Sequence, residues 1–147
     1  MIPGVPAQGS GPEWSARSVY PGAHAVLTVS AIAIVAVFVA VARTFPPSAP
    51  EFTTVLRVAG ALEFLTVVVV MKLLTGQIEP LGAGGDVALW WATHGPRALV
   101  VWALAEGTVV VGSAFWFLAR DLALLIPLAG FGIGALLWMR PGRLVSG

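Results

Sequence analysis

Residues 97–139 read RALVVWALAEGTVVVGSAFWFLARDLALLIPLAGFGIGALLWM, two apolar runs separated only by Arg120 and Asp121. A helix of about 20 residues crosses a hydrocarbon core of roughly 30 Å, so each run is long enough to span a bilayer. A two-residue link forces the pair to run antiparallel and in contact, with Asp121 placed to cap the second helix.

Composition agrees along the whole chain. Of its 147 residues, 58% are hydrophobic and 10% are charged, against about 25% charged in soluble domains; the mean hydropathy is +0.92. The formal net charge is +1, and the eight basic residues are scattered. Such a pattern offers no surface for nucleic acid and no polybasic lipid-binding segment. The chain has no cysteine, which excludes disulfides, thiolate metal sites, iron–sulfur clusters and covalent c-type haem.

Two more spans lie upstream. Residues 23–42 are apolar and uncharged, closed by Arg43 and the stiff link from Phe45 to Pro50. Residues 51–74 follow, with Pro50 and Glu51 suited to a first helical turn and Gly76 to a C-terminal stop. The expected fold is therefore all-α: a transmembrane domain over residues 23–139 made of four helices (23–42, 51–74, 97–119, 122–139) in two antiparallel hairpins. An irregular tail, 1–22, and a C-terminal tail, 140–147, flank it. The first 20 residues have no basic n-region, and the run behind them is long enough to span, so the first helix is expected to be retained.

Gly76 to Gly95 is a long connection for a helical bundle. Asp86 can cap a short helix over 87–93, and the adjacent Trp90 and Trp91 belong at headgroup level, where an indole buries its ring and keeps its N–H wet. The expectation is a helix lying along the interface before Gly95 and Pro96 turn the chain inward. Four spans put the termini and this connection on one side, with Arg17, Lys72, Arg97, Arg140 and Arg143, against Arg43, Arg57 and Arg120 on the other. The positive-inside rule then assigns both termini to the cytoplasm, in a bacterial-type cytoplasmic membrane.

Candidate functional residues are few. Glu63 and Glu106 each sit near the middle of a span, where a charge costs roughly 3 kcal/mol. At helical spacing Glu63 shares its face with Ala59, Gly60, Thr66 and Val70, and Glu106 with Trp102, Ala103, Val110 and Ser113. Both faces suit burial against another helix, and antiparallel spans make a direct approach of the two acids geometrically possible, which would leave one proton shared between them. They are the proton-binding candidates. Their simplest role is a hydrogen bond from a neutral carboxyl across a helix interface.

The segment Arg97-Ala-Leu-Val-Val-Trp-Ala-Leu-Ala-Glu106-Gly-Thr-Val-Val-Val-Gly112 resembles the outer, proton-carrying helix of rotary ATP synthase proteolipids. The resemblance implies that Glu106 carries a proton. It covers only this segment, and the first span lacks that family's dense GxGxGxG pattern. His24 and His94 begin the first and third spans on one side of the membrane. A neutral imidazole there can ligate haem iron or a pigment's magnesium, although no cofactor is required by the sequence, and hydrogen bonding to water or headgroups is the ordinary role.

Gly130 and Gly134 form a GxxxG step, a surface for close helix contact within the chain or with a neighbour, and Ala36 with Ala40 gives a softer one. Trp14 and Tyr20 are the anchors expected to hold the N-terminal tail to a partner, with Trp90 and Trp91 as further interface candidates, because aromatic residues dominate interface energetics. Phosphate loops, HExxH and GxSxG are missing, and the segments outside the spans are too short for an enzyme domain. The leading expectation is a non-catalytic accessory or assembly subunit of a larger membrane complex, plausibly an energy-converting one, with the lipid bilayer and other membrane subunits as partners. The alternatives are a proton-conducting homo-oligomer using Glu106 and Glu63, and a pigment- or haem-binding subunit.

Overall fold

The structure, a computed structural model, describes residues 16–47 and 49–145. It is all-α: α1 is Ala16–Thr44, a 3-10 turn Pro50–Phe52 leads into α2, Thr53–Thr75, and then come α3, Val87–Ala119, α4, Leu122–Trp138, and the short α5, Pro141–Val145. Four helical stretches are long and apolar enough to cross a membrane. These are the four spans the sequence leads one to expect.

The third helix is the centre of the arrangement. Its side toward α4 carries Ala98, Val101, Ala105 and Val109, all fully buried. Two glycines set how near the helices come. A Cβ on Gly112 would stand 2.6 Å from Leu128 Cβ and 3.2 Å from the Ala129 nitrogen, and a Cβ on Gly132 would run into the Ala105 carbonyl oxygen and the Val109 side chain. Close backbone approach is how membrane helices gain dispersion energy when lipid is as apolar as leucine. On either side of this pair, α1 and α2 each pack against α3 and α4 while barely touching one another. The first antiparallel hairpin is therefore joined by its loop and held by the second.

The tight turn between α3 and α4 is built from three groups. Arg120 adopts a left-handed conformation, φ 57°, which for a residue with a Cβ needs support from its surroundings. Its guanidinium donates to the Phe45 carbonyl and lies 4.9 Å from the centre of the Phe117 ring. Asp121 caps α4 by accepting from the Ala123 N–H at 3.0 Å, and also takes a 2.6 Å ion pair from Arg57 of α2. That pairing fastens α2 to the start of α4.

At the opposite end the structure departs from expectation. The 87–93 segment is helical and Asp86 caps it, accepting from the Ala88 and Leu89 N–H groups at 2.8 and 3.3 Å. It does not form a separate element: α3 runs through Gly95 and Pro96 as one helix of 33 residues, about 50 Å at 1.5 Å per residue. Proline inside a helix gives up one backbone hydrogen bond and crowds the turn before it; it also crowds the Cβ of the preceding residue, a part of the cost that Gly95, with no Cβ, avoids. The Tyr20 ring of α1 occupies the space where that Cβ would be. The connection shrinks to residues 76–86, folded against the bundle by a bond from the Leu81 N–H to the Leu144 carbonyl of α5, 3.1 Å, and by burial of Ile78.

Helix α1 starts well before residue 23 for a related reason. Tyr20 stacks on Trp91 with ring centres 5.3 Å apart, so the early turns have a tertiary surface to lie on.

Replacing Gly132 with Val is expected to cost about 1–3 kcal/mol through overpacking, seen as a lower thermal midpoint in detergent, whereas Gly130→Ala, with nothing within 4 Å of its Cβ position, leaves the midpoint in place. A pH dependence follows from the turn. The Arg57 hydrogen bond first, and the Ala123 N–H second, hold the Asp121 carboxyl below its ordinary value. The stability this contributes is present above the unfolded value of about 3.9 and is lost as pH falls through the lower folded value. Acid titration of unfolding should show this loss in the wild type and its absence in Asp121→Asn.

Candidate functional site

Glu63 is the eleventh of the 23 residues of α2, and Glu106 lies on the part of α3 that packs between its neighbours. Both side chains are only partly buried. They address different helices. Glu106 turns toward α1, where its Oε1 is hydrogen-bonded to the Ser30 hydroxyl. Ser30 also lies 3.1 Å from the Leu27 carbonyl. One hydroxyl proton cannot serve both acceptors at once, so Ser30 divides its single donor between the Glu106 carboxyl and the Leu27 carbonyl.

Glu63 turns toward α3. It lines a groove of about 380 Å³ with Val67 of α2 and Val100, Ala103, Leu104, Gly107 and Thr108 of α3. Thr108 is its polar neighbour, but the Thr108 hydroxyl already donates to the Leu104 carbonyl at 2.9 Å. The Oε2 of Glu63 is buried with no hydrogen-bond partner. A buried carboxyl oxygen without a hydrogen-bond partner is costly at membrane depth.

The direct approach of Glu63 to Glu106, allowed by their depth, is not realised. Between the two acids runs an exposed strip of α3, including Ala103, Gly107 and Val110, with α1 on one side and α2 on the other. Nothing lies within 4 Å of a Cβ built on Gly107. Glu63 thus stands at the wall of a groove floored by the small Ala103 and Gly107, while Glu106 faces Ser30 of α1 on the other side of the strip.

The aromatic and histidine candidates meet at the other end of the bundle. His24 Nε2 bonds the Leu136 carbonyl at 2.8 Å, and Trp102 Nε1 donates to the Met139 carbonyl at 2.9 Å. Carbonyls at a helix C-terminus have no partner of their own, and here side chains from α1 and α3 supply them for the end of α4. The Trp102 ring stands edge-on to His24, centres 4.8 Å apart. Trp91, 1% exposed, and Trp90, 6% exposed, are packed inside the chain, with Trp90 Nε1 donating to the Glu79 carbonyl at 2.7 Å. His94 stacks on Trp90 at 5.0 Å, and its Nδ1 is buried without a partner.

Expectations for these residues resolve unevenly. Trp90 and Trp91 are buried within the bundle, Tyr20 is partly buried and stacked on Trp91, Trp14 lies outside the described residues, and His24 Nε2 is bonded to the Leu136 carbonyl. Gly130 and Gly134 face outward with open space beside them; the close approach of α4 to α3 runs through Gly112 and Gly132, two positions that the GxxxG pattern skips. Among the described residues no group of three or more His, Asp or Glu side chains is placed to hold a metal ion. Comparison with known protein families, with curated proteins and with solved structures gave no match.

Ser30→Ala removes the bond between α1 and Glu106 and is expected to lower unfolding stability in detergent by about 0.6 to 1.7 kcal/mol, the range of interhelical hydrogen bonds in membranes. The same measurement on Thr66→Ala, whose exposed hydroxyl bonds only the Leu62 carbonyl of its own helix, should show no comparable loss.

Proposed function

We propose that the chain is a non-catalytic accessory or assembly subunit that binds a transmembrane helix of a larger membrane complex along the groove between α1, α3 and α2. The observation that carries this reading is Glu63: a mid-span carboxyl with one oxygen unpartnered, at the wall of a small-residue groove. Ala103 and Gly107 let a second backbone come near, and a donor on that helix would complete the carboxyl's hydrogen bonding. The setting we propose is a bacterial cytoplasmic membrane with both termini inside, as Lys72, Arg97, Arg140 and Arg143 at that end favour under the positive-inside rule. An energy-converting partner complex is part of the same proposal.

The second reading, a proton-conducting homo-oligomer, draws on the same two acids. Each faces a hydroxyl committed to its own helix, so each is suited to carry a proton. The apolar residues along the groove between them support recognition over transfer. Extraction from the native membrane in mild detergent, followed by a native gel and mass spectrometry of co-migrating chains, separates the readings. Different, larger membrane proteins in fixed proportion are expected; a single species at a multiple of 15.2 kDa overturns the subunit reading in favour of the homo-oligomer. Under the first reading Glu63→Leu weakens the association roughly 3- to 20-fold, the worth of one interhelical hydrogen bond, while Glu106→Gln leaves it intact.

A further inference from the structure

A separate groove lies between α2 and α4, away from the two acids. The Phe64 and Phe131 rings meet edge to face with centres 5.1 Å apart and divide it. The half nearer the chain termini has a volume of about 470 Å³ and is walled by Val68, Met71, Phe131 and Gly134, with Lys72 and Trp138 at its outer end. Gly134 matters to its width, since nothing lies within 4 Å of a Cβ built there. Arg143 of α5 stacks over Trp138, its guanidinium carbon 3.6 Å from the ring centre. Lys72 and Arg143 are exposed, and neither has an acidic partner among the described residues, where the one ion pair is Arg57 with Asp121.

We propose that this groove is a binding site for an anionic phospholipid, with one acyl chain between α2 and α4 and the headgroup phosphate between Lys72 and Arg143. An apolar slot of this size open to the membrane takes a hydrocarbon chain. Two cations without an acidic partner, Lys72 in the groove wall and Arg143 stacked on the Trp138 that lines it, supply the complement of a phosphate, and basic pockets between helices hold acidic headgroups in this way. Trp138 serves both halves of the ligand: its ring lines the slot and orients Arg143. The site needs neither Glu63 nor Glu106, so it stands independently of the function proposed above.

The test is lipid titration of the full-length protein in a neutral detergent, read by native mass spectrometry, with phosphatidylglycerol against phosphatidylcholine of identical acyl chains. Phosphatidylglycerol should bind more tightly. The double substitution Lys72→Gln with Arg143→Gln should reduce that preference by about fivefold per cation, about 25-fold in all, while leaving phosphatidylcholine unchanged. Gly134→Leu fills the slot from an exposed position and should lower the binding of both lipids without altering helix content. Equal binding of the two lipids by the wild type, or unchanged binding in Gly134→Leu, overturns the proposal. So does recovery of a stoichiometric polypeptide cross-linked through Gly134→Cys in native membranes, which would make the occupant a protein helix.

Discussion

The approach of α4 to α3 across Gly112 and Gly132 is the contact on which the rest of the molecule depends. In a membrane the solvent is as apolar as the side chains, so burial alone gives helices little reason to associate, and the gain must come from backbone proximity and from hydrogen bonds. Both are present here. The two glycines allow the first, and the second is found at the ends of α4, which Asp121 caps at one terminus and His24 with Trp102 at the other. Because those capping groups come from α1 and α3, and Arg57 of α2 grips Asp121, every long helix is tied to the short fourth one.

The same arrangement explains why the two carboxyls stay apart. With α1 and α2 on opposite flanks of α3, residues on those flanks cannot meet without displacing the helix between them. Glu106 is met by Ser30 and Glu63 by Thr108, and each of these hydroxyls is already bonded to a carbonyl on its own helix. A partnered Glu106 and an unpartnered oxygen on Glu63 make the two flanks chemically unlike.

The sequence revealed the number of spans and the capping roles of Asp86 and Asp121, because run length and local capping are properties of adjacent residues; it did not reveal that α1 and α3 start as early as Ala16 and Val87. What it concealed depends on contacts between helices. Gly132 is flanked by the more conspicuous Gly130 and Gly134, and only the rotation of α4 against Ala105 tells which of the three is inside. At Gly95 and Pro96, where a break is expected, the helix continues, and Tyr20, 75 residues away in sequence (95 − 20), fills the space beside a residue without a Cβ. Likewise Lys72 and Arg143 read as scattered charges until α5 folds its arginine back onto Trp138.

Because α1 and α2 barely touch each other, neither offers the other a packing surface before α3 is made. At ordinary synthesis rates of 5–20 residues per second, several seconds pass before residues 76–119 have been added and α3 can receive both helices. During that interval Glu63 faces lipid or the insertion machinery without Thr108, and α1 without Trp91 or Glu106. Biogenesis of this protein is therefore a matter of delayed capture: two helices wait in the bilayer, and the C-terminal hairpin collects them.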